Sequence, residues 1–239
     1  MTRSVIVAGA RTPIGRFRGG LADLKAVDLG AAAIREALAR AGVDPAQVEY
    51  SIVGHVLQAG QGQITARQAA IAAGIPIERP AITVNKVCLS GMAAIAIADQ
   101  MIRAGELEVA VAGGMESMTN APYLLPDARK GARLGHSPMI DSMIHDGLWC
   151  AFDDRHMGAG TDAMNEELGV SREAQDAWAA RSHERAHAAW EEGRLAEEVV
   201  PVEIPRRAGD PVVVGGDEGI RPDTSAERLA ALGPAFSGD

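Results

Sequence analysis

The stretch ITVNKVCLSGMAAIAIADQM (82–101) places Cys88 where an extended run gives way to a helical one. The start of a helix presents unpaired backbone N–H groups and a partial positive charge. A thiol held there has its thiolate favoured and becomes a nucleophile near neutral pH. A free cysteine also serves as a small buried hydrophobe, so position leaves both readings open. The other cysteine, Cys150, lies far along the chain, and the two form no CxxC or metal-ligand spacing. Nothing in their use suggests a disulfide-built secreted scaffold, although spacing alone does not exclude a disulfide.

The elements that would position Cys88 follow from the pattern up to Ser117. SVIVAGA (4–10) predicts a buried strand, halted by RTPIGRFRGG with Pro13 and three glycines. Asp28 is placed to cap a helix over 29–41. Its Leu29, Ala32, Ala33, Leu38 and Ala41 share a face, and Gly42 ends it. VEYSIVGHVLQ, AITVN and EVAVAGGMES predict three further strands, with helices over TARQAAIAAG and SGMAAIAIADQMIRAG between them. Strand–helix alternation predicts a mainly parallel sheet with helices packed on it. In such sheets chemistry gathers where a strand's carboxyl end meets the next helix, which is where Cys88 sits.

Beyond Thr119 the character changes. Residues 120–160 predict an irregular, loop-rich region, followed by an amphipathic helix capped by Ser171 and ended by Gly193. Its apolar face is expected from Ala174, Ala177, Trp178, Ala188 and Ala189. EEVVPVEI and DPVVVGG predict short strands around the turn PRRAG. The chain thus divides into an α/β unit, 1–119, and an irregular α+β unit, 120–239.

With 47% hydrophobic but only 3% aromatic residues, Ala, Val, Ile, Leu and Gly must fill the core. A net charge of −9 argues against a broad nucleic-acid surface, which needs a basic stripe. The apolar run near the start is too short for a signal peptide, and no window is expected to reach a membrane span. The expectation is a soluble, cytoplasmic protein without nucleic-acid or membrane partners.

Taken in order, GARTPIGRFRGGL, NKVCLSGM, VAGGMESM, MIDSMIHDGL, RHMG, DEGIRPD and GPAF carry a specific resemblance over the whole length. The chain resembles the thiolases, in particular the biosynthetic, acetoacetyl-CoA type. The resemblance implies a layered αβαβα fold of two similar halves, with a loop domain, here 120–239, that covers coenzyme A. It implies a reversible Claisen condensation of two acetyl-CoA to acetoacetyl-CoA, or thiolysis in reverse. Cys88 falls on the family's nucleophile, which carries the acyl group as a thioester, with its backbone N–H in an oxyanion hole. Leu148 falls on an apolar contact to the pantetheine arm, and His156 and Met157 on positions beside that arm. Arg221 falls on an arginine near the nucleotide end, and Phe236 on a pocket wall. No permanently bound cofactor or metal is implied, since coenzyme A and acetyl-CoA are substrates.

The family often has a serine seven positions after that arginine; this chain has Arg228, which is left outside the site. The family's water-holding asparagine, GHP histidine and CxGGG cysteine have no counterparts among these residues. The chain therefore reads as an N-terminal portion, cut off before the second half and a poor catalyst alone. Homodimers or homotetramers are implied for the full-length form, with PDARKGARLGHS (126–137) at the tetramer contact. Two alternatives stay open: a non-catalytic acyl-CoA binding module, and a related condensing enzyme that takes its substrate on a carrier protein.

Overall fold

The structure is a computed structural model that describes residues 3–206 and 209–236. Helix α1 spans Ala26–Ala41. Asp28 does cap it, but from the third helical position, where its carboxylate accepts the Lys25 N–H at 3.0 Å. Gly42 closes it in the left-handed conformation that glycine adopts without steric cost, φ 63°. Strand β1 (Tyr50–Gly54), helix α2 (Thr65–Ala72), strand β2 (Ala81–Val84), helix α3 (Ser90–Ala104) and strand β3 (Ala110–Gly114) follow. The three strands form a parallel sheet in the order β2-β1-β3, as the alternation predicts.

Side chains alternate across β1, and that alternation divides the core. Val53 points into one cluster with Val27, Ala31, Ile34 and Leu38 of α1 and Ala66, Ala69 and Ala70 of α2. Ile52 points the other way, against Ala94 and Ala98 of α3. The sheet is thus sandwiched between α1 and α2 on one face and α3 on the other. The alanines let the helices approach closely, which is how a core so poor in aromatics is filled.

Two expectations need correction here. Residues 4–10 form no strand among the described residues, and Val5, Ile6 and Val7 are 78%, 83% and 69% exposed. The run has the composition of a strand, yet a strand exists only where a neighbour answers its backbone. This segment is held at its two ends instead. Ser4 Oγ donates to Asp99 at 2.6 Å, and the Arg11 N–H and C=O bond to the backbone of Glu198 and Val200. Secondly, Val87–Ala104 is long and apolar enough to cross a membrane, contrary to the expectation that no window comes near. Its inward side, through Ala94 and Ala98, packs on the sheet, while Met92 and Ile95 on the outer side are exposed.

The irregular region holds two short antiparallel pairs, β4 (Tyr123–Leu124) with β5 (Ile140–Asp141) and β6 (Trp149–Cys150) with β7 (Arg155–His156). A single π-helical turn, Met143–Leu148, separates β5 from β6. Helix α4 (Met157–Glu167), unanticipated in the sequence reading, precedes α5 (Arg172–Glu191). Ser171 caps α5 as expected, its Oγ accepting the Ala174 N–H at 3.2 Å.

The expected apolar face of α5 is not buried. Ala174, Ala177 and Trp178 are exposed, and the Arg181 guanidinium lies over the Trp178 ring at 4.3 Å. The buried residue is Asp176, because Arg172 chelates its carboxylate at 2.9 Å and also donates to the carbonyls of Leu229 and Leu232. That ties α5 to the last helix. Strands β8 (Val202–Ile204) and β9 (Val212–Val214) form the expected hairpin, and α6 (Ala226–Ala230) follows. Arg207 and Ala208 of its turn lie outside the described residues.

Candidate active site

Cys88 is exposed and carries a free thiol, as does the partly buried Cys150. The buried-hydrophobe alternative therefore does not describe Cys88. The helix begins at Ser90 with Leu89 as its N-cap, so Cys88 stands one position outside the helix mouth. Its neighbour Val87 has φ 48°, a left-handed conformation that costs a β-branched residue about 1–3 kcal/mol. Local bonds hold it there. Asn85 Oδ1 accepts the Val87 N–H at 3.0 Å, the Lys86 N–H donates to Ser90 Oγ at 2.8 Å, and Ser90 Oγ donates to the Val87 carbonyl at 2.6 Å.

The turn is pressed onto the carboxyl ends of the strands. A Cβ on Gly54, at the end of β1, would stand 2.6 Å from the Ser90 carbonyl carbon and 2.7 Å from the Gly91 nitrogen. A Cβ on Gly114, at the end of β3, would stand 3.5 Å from Gly91 Cα. Glycine at these places lets the helix mouth rest directly on the sheet. The turn that carries Cys88 is thus fixed by backbone packing as well as by its hydrogen bonds.

The residues expected beside the substrate arm fall into two groups. Trp149 pairs with His156 across the β6–β7 ladder, which brings Leu148, the last residue of the π-helical turn, near His156 and Met157. His156 caps α4, its Nδ1 accepting the Gly158 N–H at 3.0 Å, and Met157 opens that helix with its side chain exposed. Phe236 stacks on the His156 ring with centroids 4.6 Å apart and planes 25° from parallel. Four of the five expected residues are therefore assembled around the start of α4. Arg221 is held elsewhere, its backbone N–H donating to His183 Nδ1 of α5 at 3.1 Å. Arg228, excluded at the outset, is engaged by the Asp223 carboxylate.

The family profile described as Thiolase, N-terminal domain, matches residues 4–239. The chain belongs to the thiolase family. An acetyl-CoA acetyltransferase of Pseudomonas aeruginosa is 51% identical over 235 residues, 98% of this chain and 60% of that protein. A Mycobacterium tuberculosis protein named "Probable acetyl-CoA acetyltransferase" is 55% identical over 239 residues, 100% of this chain and 61% of that one. The crystal structure of the Bacillus anthracis acetyl-CoA acetyltransferase superposes with a TM-score of 0.95 at 40% identity, covering 99% of this chain and 60% of that one. The αβ thiolase fold is thereby shown, and this thiolase chain spans about 60% of the length of the relatives it matches.

Two of the resemblance-bearing motifs, some 200 residues apart, meet in one joint that the sequence reading did not anticipate. Arg11 forks onto both carboxylate oxygens of Asp217, at 2.7 and 3.0 Å, and also reaches Glu198 at 2.6 Å. Asp217 further accepts the Ile14 N–H and the Trp190 indole N–H. Glu218 accepts the N–H groups of Arg16 at 2.8 Å and Gly20 at 2.9 Å. A Cβ on Gly19 would meet the Glu218 carboxylate and stand 3.0 Å from the Arg16 carbonyl oxygen, and one on Gly20 would stand 2.9 Å from Glu218 Oε1, so the paired glycines of RFRGG leave room for that carboxylate. Burial works against the charge on Asp217, but the Arg11, Ile14 and Trp190 donors outweigh it and hold its carboxyl below the usual range. The Arg16 and Gly20 N–H groups do the same for Glu218. The joint fixes the segment carrying Arg221 against the loop that follows residues 4–10.

Proposed function

We propose that this chain is the acyl-accepting part of a thiolase, with Cys88 taking an acetyl group from acetyl-CoA as a thioester. The observation that carries the reading is an exposed thiol in a positive-φ turn, seated on the carboxyl ends of a parallel sheet in a chain of this family. A thioester exchanges for a thioester with little change in energy, so the transfer splits into two accessible steps. In the first, the Cys88 thiolate attacks the carbonyl carbon and the coenzyme A thiolate leaves. In the second, a nucleophilic carbon from another acetyl-CoA displaces Cys88 to give acetoacetyl-CoA; thiolysis is the reverse. The Cys88 N–H is assigned to the oxyanion that forms in each step.

In the same reading, residues 1–119 present the nucleophile and 120–239 cover the substrate. Leu148, His156, Met157 and Phe236 line the pantetheine arm, and Arg221 lies toward the nucleotide. Coenzyme A is a substrate that arrives and leaves. Full-length copies assemble as dimers or tetramers, the loop 126–137 with its exposed Leu134 serving the tetramer contact.

Without a base to draw the proton from the thiol, a nucleophile forfeits about 10²–10⁴-fold. This chain should therefore cleave acetoacetyl-CoA poorly by itself. Incubation with acetyl-CoA followed by intact and peptide mass measurement tests the central claim. An acetyl adduct on Cys88, absent from Cys88→Ala and absent from Cys150, is expected. Labelling without preference between the two cysteines would favour a binding-only module.

A further inference from the structure

The carboxyl ends of β1 and β3 carry an ionisable pair that the acyl transfer above does not use. His55 follows β1 directly and is 1% exposed. Its Nδ1 lies 2.8 Å from Oγ1 of Thr65, the buried first residue of α2. Its Nε2 lies 3.2 Å from Oε1 of Glu116, two residues past β3. That separation is an ion-pair distance without hydrogen-bond alignment, and Nε2 has no other partner among the described residues. Donor and acceptor roles at Nδ1 follow the tautomer; the form in which the Thr65 hydroxyl donates to Nδ1 places a proton on Nε2, facing the Glu116 carboxylate.

The carboxylate is also committed on its other side. Glu116 accepts the N–H of Val56 at 2.9 Å and of Leu57 at 3.3 Å. From this dipeptide two branches run to the two parts of the site. The Val56 carbonyl accepts the Asn85 side-chain amide at 3.5 Å, and Asn85 Oδ1 holds the Val87 N–H beside Cys88. The buried Leu57 abuts Gly147, where a Cβ would stand 3.3 Å from Leu57 Cδ2, next to Leu148. An apolar side chain would fill the buried place of His55 at lower desolvation cost, so packing alone does not account for an imidazole facing the partly exposed Glu116 carboxylate.

We propose that His55 and Glu116 are positioning residues: the imidazole orients the carboxylate, the carboxylate fixes Val56 and Leu57, and these set the nucleophile turn through Asn85. The proposal rests on the reading of Cys88 as the acyl acceptor. The test measures iodoacetamide alkylation of Cys88 in the native 239-residue chain, with Cys150 as internal reference and peptide mass as the readout. His55→Leu and Glu116→Ala are expected to lower the Cys88-to-Cys150 rate ratio about tenfold, the equivalent of about 1.4 kcal/mol. His55→Gln, whose amide nitrogen can occupy the Nε2 position, is expected to stay within about twofold of the parent.

A purely structural role would shift the urea midpoint of all three variants without moving the ratio in the folded protein. Should His55→Leu fail to fold, the exposed Asn85→Ala carries the same expectation. A parent chain in which Cys88 is fast, with variants that keep its ratio, overturns this proposal alone. A parent chain in which Cys88 is no faster than Cys150 overturns the acyl-acceptor reading and this proposal with it.

Discussion

Adding one methyl group to Gly54 tests how the nucleophile turn is held. The new Cβ would stand 2.6 Å from the Ser90 carbonyl carbon and 2.7 Å from both the Gly91 nitrogen and Ser90 Cβ. Two of these atoms are backbone, so no rotamer change relieves the contact. The helix mouth must retreat by roughly 1 Å to restore ordinary packing. Overpacking of this kind costs about 1–3 kcal/mol, only partly offset by the reduced freedom of alanine in the unfolded chain. For a chain of this length each kcal/mol lowers the melting temperature by about 2–4 °C. Misplacement by about 1 Å can cost a reaction up to 10²-fold, and a small alkylating reagent is less demanding than an acyl transfer. Gly54→Ala is therefore expected to melt several degrees lower and to slow Cys88 alkylation roughly tenfold relative to Cys150. Gly113→Ala is the matched control, since nothing lies within 4 Å of its Cβ position. If Gly54→Ala keeps the parent's melting temperature and alkylation ratio, the argument that glycine seats the turn on the sheet is wrong.

Two further outcomes are expected. The carboxyls of Asp217 and Glu218 are both held below the usual range, so the joint they form is fully stabilised above the ordinary carboxylate pKa of about 4. That stabilisation fades as pH falls through the depressed values. Trp190, whose indole N–H donates to Asp217 at 3.2 Å, reports it by fluorescence in a Trp149→Phe, Trp178→Phe background. An acid transition unmoved by Asp217→Asn would exclude the joint as its source. Separately, the His156–Phe236 stack should appear as a coupling of about 0.5–1.5 kcal/mol in a double-mutant cycle of the two alanine variants followed by urea unfolding. Strict additivity would show that the stack contributes nothing.

What was legible in the sequence was what local chemistry encodes. The alternation of strands and helices, the glycine closure at Gly42, the Ser171 cap and the Cys88 junction each depend on neighbours along the chain, and each is present. What escaped depends on partners distant in sequence. Val5–Val7 has a strand's composition, but composition does not say whether another strand lies beside it. The face of α5 differs because Arg172 makes a buried aspartate acceptable, while Trp178 stays exposed with Arg181 over one face of its ring. Helix α4, rich in Gly and Met, gives little periodic signal. The joint of Arg11, Asp217 and Glu218 had a faint signal, since both of its motifs were recognised singly. His55 and Glu116 could have been flagged by their places at the carboxyl ends of neighbouring strands.

The same dependence on distant partners bears on what the sheet and α3 leave open. A sheet of parallel strands is stable when both faces and both edges are answered. Among the described residues β3 ends the sheet on one side, residues 4–10 pair with no strand, and Met92 and Ile95 leave the outer side of α3 apolar and exposed. Contiguous apolar surface of this kind marks a place where more protein packs. The relatives are longer than this chain, which spans about 60% of them. A contact there would bury Met92 and Ile95 on the helix whose mouth follows Cys88, so protein packed on that side should raise stability and alter Cys88 alkylation together.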